Sequence, residues 1–198
     1  MKKKLTALFL ALCLILCVVG CGSSDEGGKS NKSLKEIFSV GLDKPEKNAF
    51  TPNKTETFQG YSFFLPEYMG DKAPNSYDST NYYYAEQGGK VAMLMVQISD
   101  ATGVKESEIK NYTASYMMGI QSSLQEYKSI ENEYVTIADH KGYKEYFTCS
   151  LSGLKCNAVI YMFLDEANQK VVSFFWGETD NSDYTYFKDV EKIIESVQ

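Results

Sequence analysis

Apolar positions along residues 56–198 repeat with two periods, one of strands and one of helices. The stretch TFQGYSFFLPEYM places Phe58, Tyr61, Phe63 and Phe64 in one predicted strand that Pro66 stops. NYYYAEQGGKVAMLMVQIS predicts a hairpin turning on Gly88-Gly89. Folded there, it sets Tyr82 against Met95 and Tyr84 against Met93 on one face, and Tyr83 against Leu94 on the other. Apolar residues on both faces predict a sheet covered on two sides. From about Val104 to Tyr127, Ile109, Tyr112, Tyr116, Met117, Ile120, Leu124 and Tyr127 recur every three or four residues, which predicts a helix. Glu106 and Glu108 fall in its first turn, where the helix dipole favours negative charge. Residues 132–178 then predict four strands, with turns at Asp139 to Gly142, around Ser152-Gly153 and at Asp165 to Lys170. A closing helix carries Phe187, Val190, Ile194 and Val197 on one stripe, with Ser182 as its expected N-cap.

The predicted order is three strands, a long helix, four strands and a terminal helix. Strands joined by short turns are antiparallel, and helices laid over such a sheet give an α+β fold. The expectation is a mostly antiparallel sheet of about six to seven strands flanked by helices. GYSFFLP at 60–66, the mid-chain helix, and VVSFFWG with YTYFKDVEKIIESV near the C-terminus together resemble the PsbP-like superfamily. That resemblance implies an αβα sandwich over residues 56–198. Its motifs are packing patterns, so it implies no catalytic residue.

The N-terminal pattern differs in kind. Lys2, Lys3 and Lys4 precede an apolar run, Leu5 to Val19, in which Thr6 is the polar exception. As a helix the run spans about 22 Å, short of the roughly 30 Å hydrocarbon core, and its flanks suit a secretory signal peptide. Val18-Val19-Gly20-Cys21 resembles the bacterial lipoprotein signal. The resemblance implies a signal peptide over residues 1–20, cleavage before Cys21, and a diacylglyceryl thioether on the Cys21 sulfur. Residues 21–55 are dominated by Gly, Ser, Asn, Lys and Pro without a sustained apolar period, and predict a flexible tether.

Charge narrows the partners. The chain has 20 Lys+Arg and 26 Asp+Glu, and every base is lysine. Loss of residues 1–20 removes three of those lysines and no acid, taking the net charge from −6 to −9. An acidic domain without arginine lacks the donors that neutralise phosphates and read base edges, so no nucleic-acid partner is expected.

Candidate chemistry is sparse. His140, the one histidine, is expected on an exposed turn, beside the turn formers Asp139 and Gly142. Asp180 and Asp183 lack the glycine and terminal glutamate of an EF-hand and are expected to cap the last helix. Glu131 and Glu133, like Glu106 and Glu108, are expected on solvated faces. No metal site and no cofactor motif is read. Cys149 and Cys156 fall opposite each other when the hairpin closes on Ser152-Gly153, within reach of a disulfide; two buried thiols are the alternative. Tyr82, Tyr83, Tyr84 and Trp176 serve either as core or as a ligand-binding aromatic face.

These expectations describe a non-enzymatic, lipid-anchored binding or accessory domain on the outer face of the cytoplasmic membrane of a bacterium, of Gram-positive type. Its partners would be the membrane, through Cys21, and a protein, glycan or small molecule. The alternatives are a small solute-binding lipoprotein of a transport system and an envelope hydrolase. A cleft with convergent polar groups would favour a small ligand. His140 facing an acid within a pocket would favour the hydrolase.

Overall fold

A computed structural model describes residues 52–73, 76–87, 90–151, 153–179 and 186–198. The expected signal peptide, Cys21, the expected tether up to residue 51, the expected Gly88-Gly89 and Ser152 turn positions, Asp180, Ser182 and Asp183 lie outside the described residues.

Among the described residues, eight strands and two α-helices follow in the order β1 (Pro52–Phe58), β2 (Tyr61–Pro66), β3 (Thr80–Gln87), β4 (Lys90–Asp100), α1 (Ile109–Ser123), β5 (Gln125–Ile137), β6 (His140–Leu151), β7 (Leu154–Asp165), β8 (Lys170–Thr179) and α2 (Phe187–Glu195). A single 3-10 turn, Glu106–Glu108, leads into α1. Six strands form one antiparallel sheet in the order β3-β4-β8-β7-β6-β5, while β1 and β2 form a separate hairpin. The α+β class expected from the sequence is the observed one.

Strand alternation sends side chains to two cores. On one face Tyr83, Leu94, Val96, Val159, Phe163, Phe174 and Trp176 pack against Tyr61, Phe63 and Leu65 of β2 and Phe187, Val190, Ile193 and Ile194 of α2. On the other, Tyr82, Met93, Met95, Phe147, Ile160, Met162 and Phe175 pack against Ile109, Tyr116, Met117 and Ile120 of α1. The pairs Tyr82–Met95, Tyr83–Leu94 and Tyr84–Met93 stand as the hairpin pattern predicts. Trp176 and Tyr83 are fully buried. The indole Nε1–H of Trp176 donates to buried Glu178 at 3.1 Å, and Glu178 also accepts the Tyr186 backbone N–H.

Three local expectations are corrected. The first predicted strand is two strands, since Gln59 (φ 49°) and Gly60 (φ 94°) make a tight turn between Phe58 and Tyr61. β1 also takes in residues 52–55 of the stretch expected to be tether. The long helix is shorter at both ends. It closes at Ser123 because the Ser122 and Ser123 hydroxyls both donate to the Gly119 carbonyl, competing with the helical ladder there. Leu124 is extended, and Tyr127 belongs to β5. The third concerns the β5–β6 connection. Ala138 (φ 48°) and Asp139 (φ 67°) form the whole turn, and His140 is the first residue of β6. Gly142 serves a close approach, since a Cβ there would lie 2.8 Å from the Met162 carbonyl oxygen.

Candidate functional site

Three tight turns and the end of the chain meet at one rim of the six-stranded sheet. In the β6–β7 ladder Gly142 faces Phe163, and the same register carried two residues on sets His140 beside Asp165. Asp165 in turn faces Lys170 across β7–β8, and Lys170 faces Asp100 across β4–β8. Side chains opposed in this way share a face. A row of charged and ionisable groups, His140, Asp165, Lys170 and Asp100, therefore runs across four strands. Tyr61, the first residue of β2, closes over it from the hairpin layer.

Asp165 is the hub. Its side chain is 4% exposed and accepts three hydrogen bonds: Tyr61 Oη at 2.7 Å, the Asn168 backbone N–H at 2.9 Å and Asn168 Nδ2 at 2.7 Å. Burial alone would push the carboxyl up. The bonds from Asn168 and Tyr61 outweigh it, with the nearby His140 adding to them, and hold the group below the usual carboxylate range. Tyr61 moves the other way, because burial and then the adjacent carboxylate both disfavour its phenolate.

His140 corrects the exposed-turn expectation. Its side chain is 26% exposed, its ring stacks on Phe163 at 5.3 Å and 9°, and Nδ1 lies 3.2 Å from Glu106 Oε1. Nε2 lies 3.8 Å from Asp165 Oδ2. Glu106 therefore does not stand on a solvated face. It reaches across from the 3-10 turn, whose own backbone is tied down by Glu166 Oε2, the acceptor of the Glu106 N–H at 3.0 Å. Lys170 Nζ is paired at 2.6 Å with Asp100.

Tyr61, His140 and Asp165 line a cleft of about 680 Å³ together with Gln59, Asp139, Asn168, Lys170 and Gln198. That volume lies within the range of small-molecule sites. A smaller hollow of about 340 Å³ lies on the far side of Glu106, where Lys110 sits over the Tyr134 ring. Among the described residues no group of three or more His, Cys, Asp or Glu side chains is arranged to hold a metal ion. No helix among them is long and apolar enough to cross a membrane.

The other candidate residues sit elsewhere. Tyr82, Tyr83 and Trp176 are core, and Tyr84 is partly buried against the α1-side cluster. Cys149 and Cys156 are register partners on β6 and β7, as the hairpin predicts, and both are buried thiols in the structure. Burial, and then the neighbouring Cys156, push the Cys149 thiol up to about 12. Glu106, Tyr61, Asp165 and Asn168 were not singled out as a site by sequence. The signal for one pair was present: the β6–β7 hairpin, closing at Leu151 opposite Leu154, fixes the register that brings His140 to Asp165.

No protein-family model matches the sequence, and no curated protein matches it either. Solved structures do. LpqN of Mycobacterium tuberculosis, described as involved in cell envelope biogenesis, aligns with a TM-score of 0.56 at 11% identity, covering 77% of this chain and 86% of that one. The cyanobacterial PsbP (CyanoP) of Synechocystis sp. PCC 6803 aligns with a TM-score of 0.53 at 11% identity, covering 79% and 98%. The Ran-binding protein Mog1p of Saccharomyces cerevisiae aligns with a TM-score of 0.55 at 5% identity, covering 76% and 96%. At these identities the likeness is one of fold, and it supports the PsbP-like fold expected from the order of elements.

Proposed function

We propose that the chain is a bacterial lipoprotein whose folded domain is a non-enzymatic binding module for a small polar ligand, or for the polar end of an envelope component. Cleavage before Cys21 would leave a diacylglyceryl, palmitate-bearing N-terminus on the outer face of the cytoplasmic membrane of a Gram-positive bacterium. Residues 22–51 would then hold the domain clear of the lipid. Two acyl chains suffice for stable anchoring. The observation that carries the binding reading is the cleft at the sheet rim, where Tyr61, His140, Asp165 and Asn168 converge from three turns. The likeness in fold to a protein of cell envelope biogenesis and to a Ran-binding protein agrees with such a role.

Two measurements test the two halves. In a bacterial host the wild-type chain takes up labelled palmitate and sediments with membranes, and the Cys21→Ser variant does neither. A variant that still matures and stays on the membrane refutes the anchor. For the cleft, the amide resonances of Gly60, His140 and Asn168 are followed while sugars, amino acids, polyamines and organic acids are titrated in. A ligand of the cleft moves these three before the rest. If no solute moves them up to about 10 mM, weaker than the micromolar-to-millimolar affinities of ordinary sites, the binding reading falls.

One observation favours the hydrolase as a second reading. His140 lines the cleft, and its Nδ1 is within hydrogen-bond reach of Glu106 behind it, the relation of a general base to the acid that orients it. Turnover of a chromogenic ester that His140→Ala abolishes would establish it. Turnover equal in the two proteins would remove it.

A further inference from the structure

His140 is flanked by acid on both sides. Nδ1 lies 3.2 Å from Glu106 Oε1 and Nε2 lies 3.8 Å from Asp165 Oδ2, while Phe163, stacked at 5.3 Å and 9°, fixes the plane of the ring. A neutral imidazole has one N–H, so it can donate toward one carboxylate and turns a lone pair to the other. An imidazolium donates from both nitrogens and carries a charge that both acids attract. Toward Asp165 the attraction is one of charge, because Oδ2 already accepts from Tyr61 Oη and Asn168 Nδ2. Whichever nitrogen holds the proton of the neutral ring, only the charged ring satisfies both neighbours.

The two carboxylates belong to different elements. Glu106 stands in the 3-10 turn that leads into α1, and Asp165 ends β7. Backbone bonds already join these regions. The N–H groups of Ala101, Gly103 and Glu106 donate to Gln169 O, Gln169 Oε1 and Glu166 Oε2 at 2.8, 2.7 and 3.0 Å. The other charged or ionisable groups around the ring are Glu166 beside the 3-10 turn, Tyr61, Asp139 and Lys170 along the cleft, and Lys110 and Lys141 in the hollow behind Glu106. Glu108 is turned to the Lys105 backbone N–H, and Lys170 is paired with Asp100 at 2.6 Å. Ordinary carboxylates, phenols and lysines keep one charge state between about pH 5.5 and about pH 8.5. Asp165 is held below the carboxylate range and Tyr61 is pushed above that of tyrosine. Histidine is the side chain that changes charge in that window, and the chain has one.

We propose that His140 is a proton-operated clasp between the 3-10 turn and the end of β7. On the acid side of neutrality Glu106 and Asp165 share the imidazolium, which fastens the approach to α1 against the wall of the cleft. On the alkaline side an uncharged ring faces two carboxylates, and the clasp slackens while the backbone bonds to Gln169 and Glu166 keep the turn in place. Its contribution is fully present below the ordinary histidine value of about 6.5 and is lost at higher pH. The device needs no ligand, so it stands or falls separately from the binding function.

A double-mutant cycle of His140→Gln and Glu106→Gln tests it, read by urea unfolding of the full chain in detergent at about pH 5.5 and about pH 8.5. Glu106 is the partner because removing the Asp165 charge would also weaken the bonds to Tyr61 and Asn168. The loss of stacking on Phe163 is common to both pH values and cancels in the cycle. The expected coupling is about fivefold in the unfolding equilibrium constant at the lower pH and about twofold or less at the higher. In parallel, the exchange protection of the Glu106 and Glu108 amides, corrected for intrinsic rates, should fall between the two pH values in wild type and stay level in His140→Gln. Equal coupling at both pH values makes the contact a fixed hydrogen bond and overturns the clasp. Absence of coupling at both overturns it too, as does a fall in protection that survives in His140→Gln. Melting curves identify a variant that does not fold, and the exchange comparison of wild type with His140→Gln then decides alone.

Discussion

Asp165→Asn is the substitution that most directly probes the rim. Asparagine keeps the size of the side chain and one acceptor oxygen, but gives up the charge and replaces an acceptor with a donor. In the native protein the carboxylate accepts Tyr61 Oη, Asn168 N and Asn168 Nδ2 at 2.7, 2.9 and 2.7 Å while nearly fully buried. Hydrogen bonds to a charged group contribute roughly 1.5–3 kcal/mol each, and within one network their losses do not add. With one acceptor retained, the expected cost is about 2–4 kcal/mol at about pH 7. For a domain of this size, a urea m-value near 2 kcal/mol/M turns that into a midpoint lower by about 1–2 M. The pH dependence follows from the direction of the shift. The folded carboxyl lies below its ordinary value. Its contribution is therefore fully present above the unfolded value near 3.9 and is lost as the pH falls through the folded value. Wild type and variant should thus differ most from about pH 5 upward and draw together toward about pH 3. Urea titrations by far-UV circular dichroism at several pH values measure this. An unchanged midpoint at neutral pH, or a deficit as large at about pH 3 as at about pH 7, would refute the account of Asp165 as an ionised hub.

Gly142→Ala is expected to destabilise by about 1–3 kcal/mol. Its Cβ would meet the Met162 carbonyl oxygen at 2.8 Å and Ile137 Cδ1 at 3.0 Å, and the backbone atom cannot yield; a melting temperature equal to wild type would contradict this packing. Cys149 and Cys156 are expected to resist alkylation in the folded protein at about pH 8, because both are buried and Cys149 is pushed up to about 12. In urea without reductant, labelling marks two thiols, whereas labelling only after reduction, with a mass change of about two daltons, marks the disulfide that their register permits; fast labelling of the native protein would refute the burial.

The sequence carried the fold further than it carried the site, for a physical reason. Hairpin register follows from local turns and strand alternation, so the pairing of Tyr83 with Leu94 and of Cys149 with Cys156 was readable from neighbouring residues. The two-sided burial of the sheet followed from apolar residues at successive positions. The split at Gln59-Gly60 was missed because the aromatic residues on either side look like one strand. The end of α1 was missed because Leu124, the extended residue after the helix, and Tyr127, in β5, continue the helical spacing and are buried or half-buried for a different reason. The rim is a different matter. Glu106 is 34 residues from His140, and Tyr61 is 104 residues from Asp165. No period along the chain links them, and only the layering of the β1–β2 hairpin over the sheet brings Tyr61 within reach.

The β1–β2 hairpin has a mechanical consequence. β1 pairs with β2 alone, with Pro52 opposite Pro66 at one end and the Gln59-Gly60 turn at the other. β2 is held independently on its far edge, where Ser62 and Gln198 exchange backbone hydrogen bonds at 3.0 Å in both directions. Tension arriving through the N-terminal chain would enter at Pro52 and unzip β1 one rung at a time, reaching the turn that borders the cleft last. β2, Tyr61 and the rim would stay in place while the first strand peels. In the proposed anchored form, the hairpin would work as a strain relief between the membrane and the cleft, lengthening the leash before the load reaches Tyr61 and Asp165.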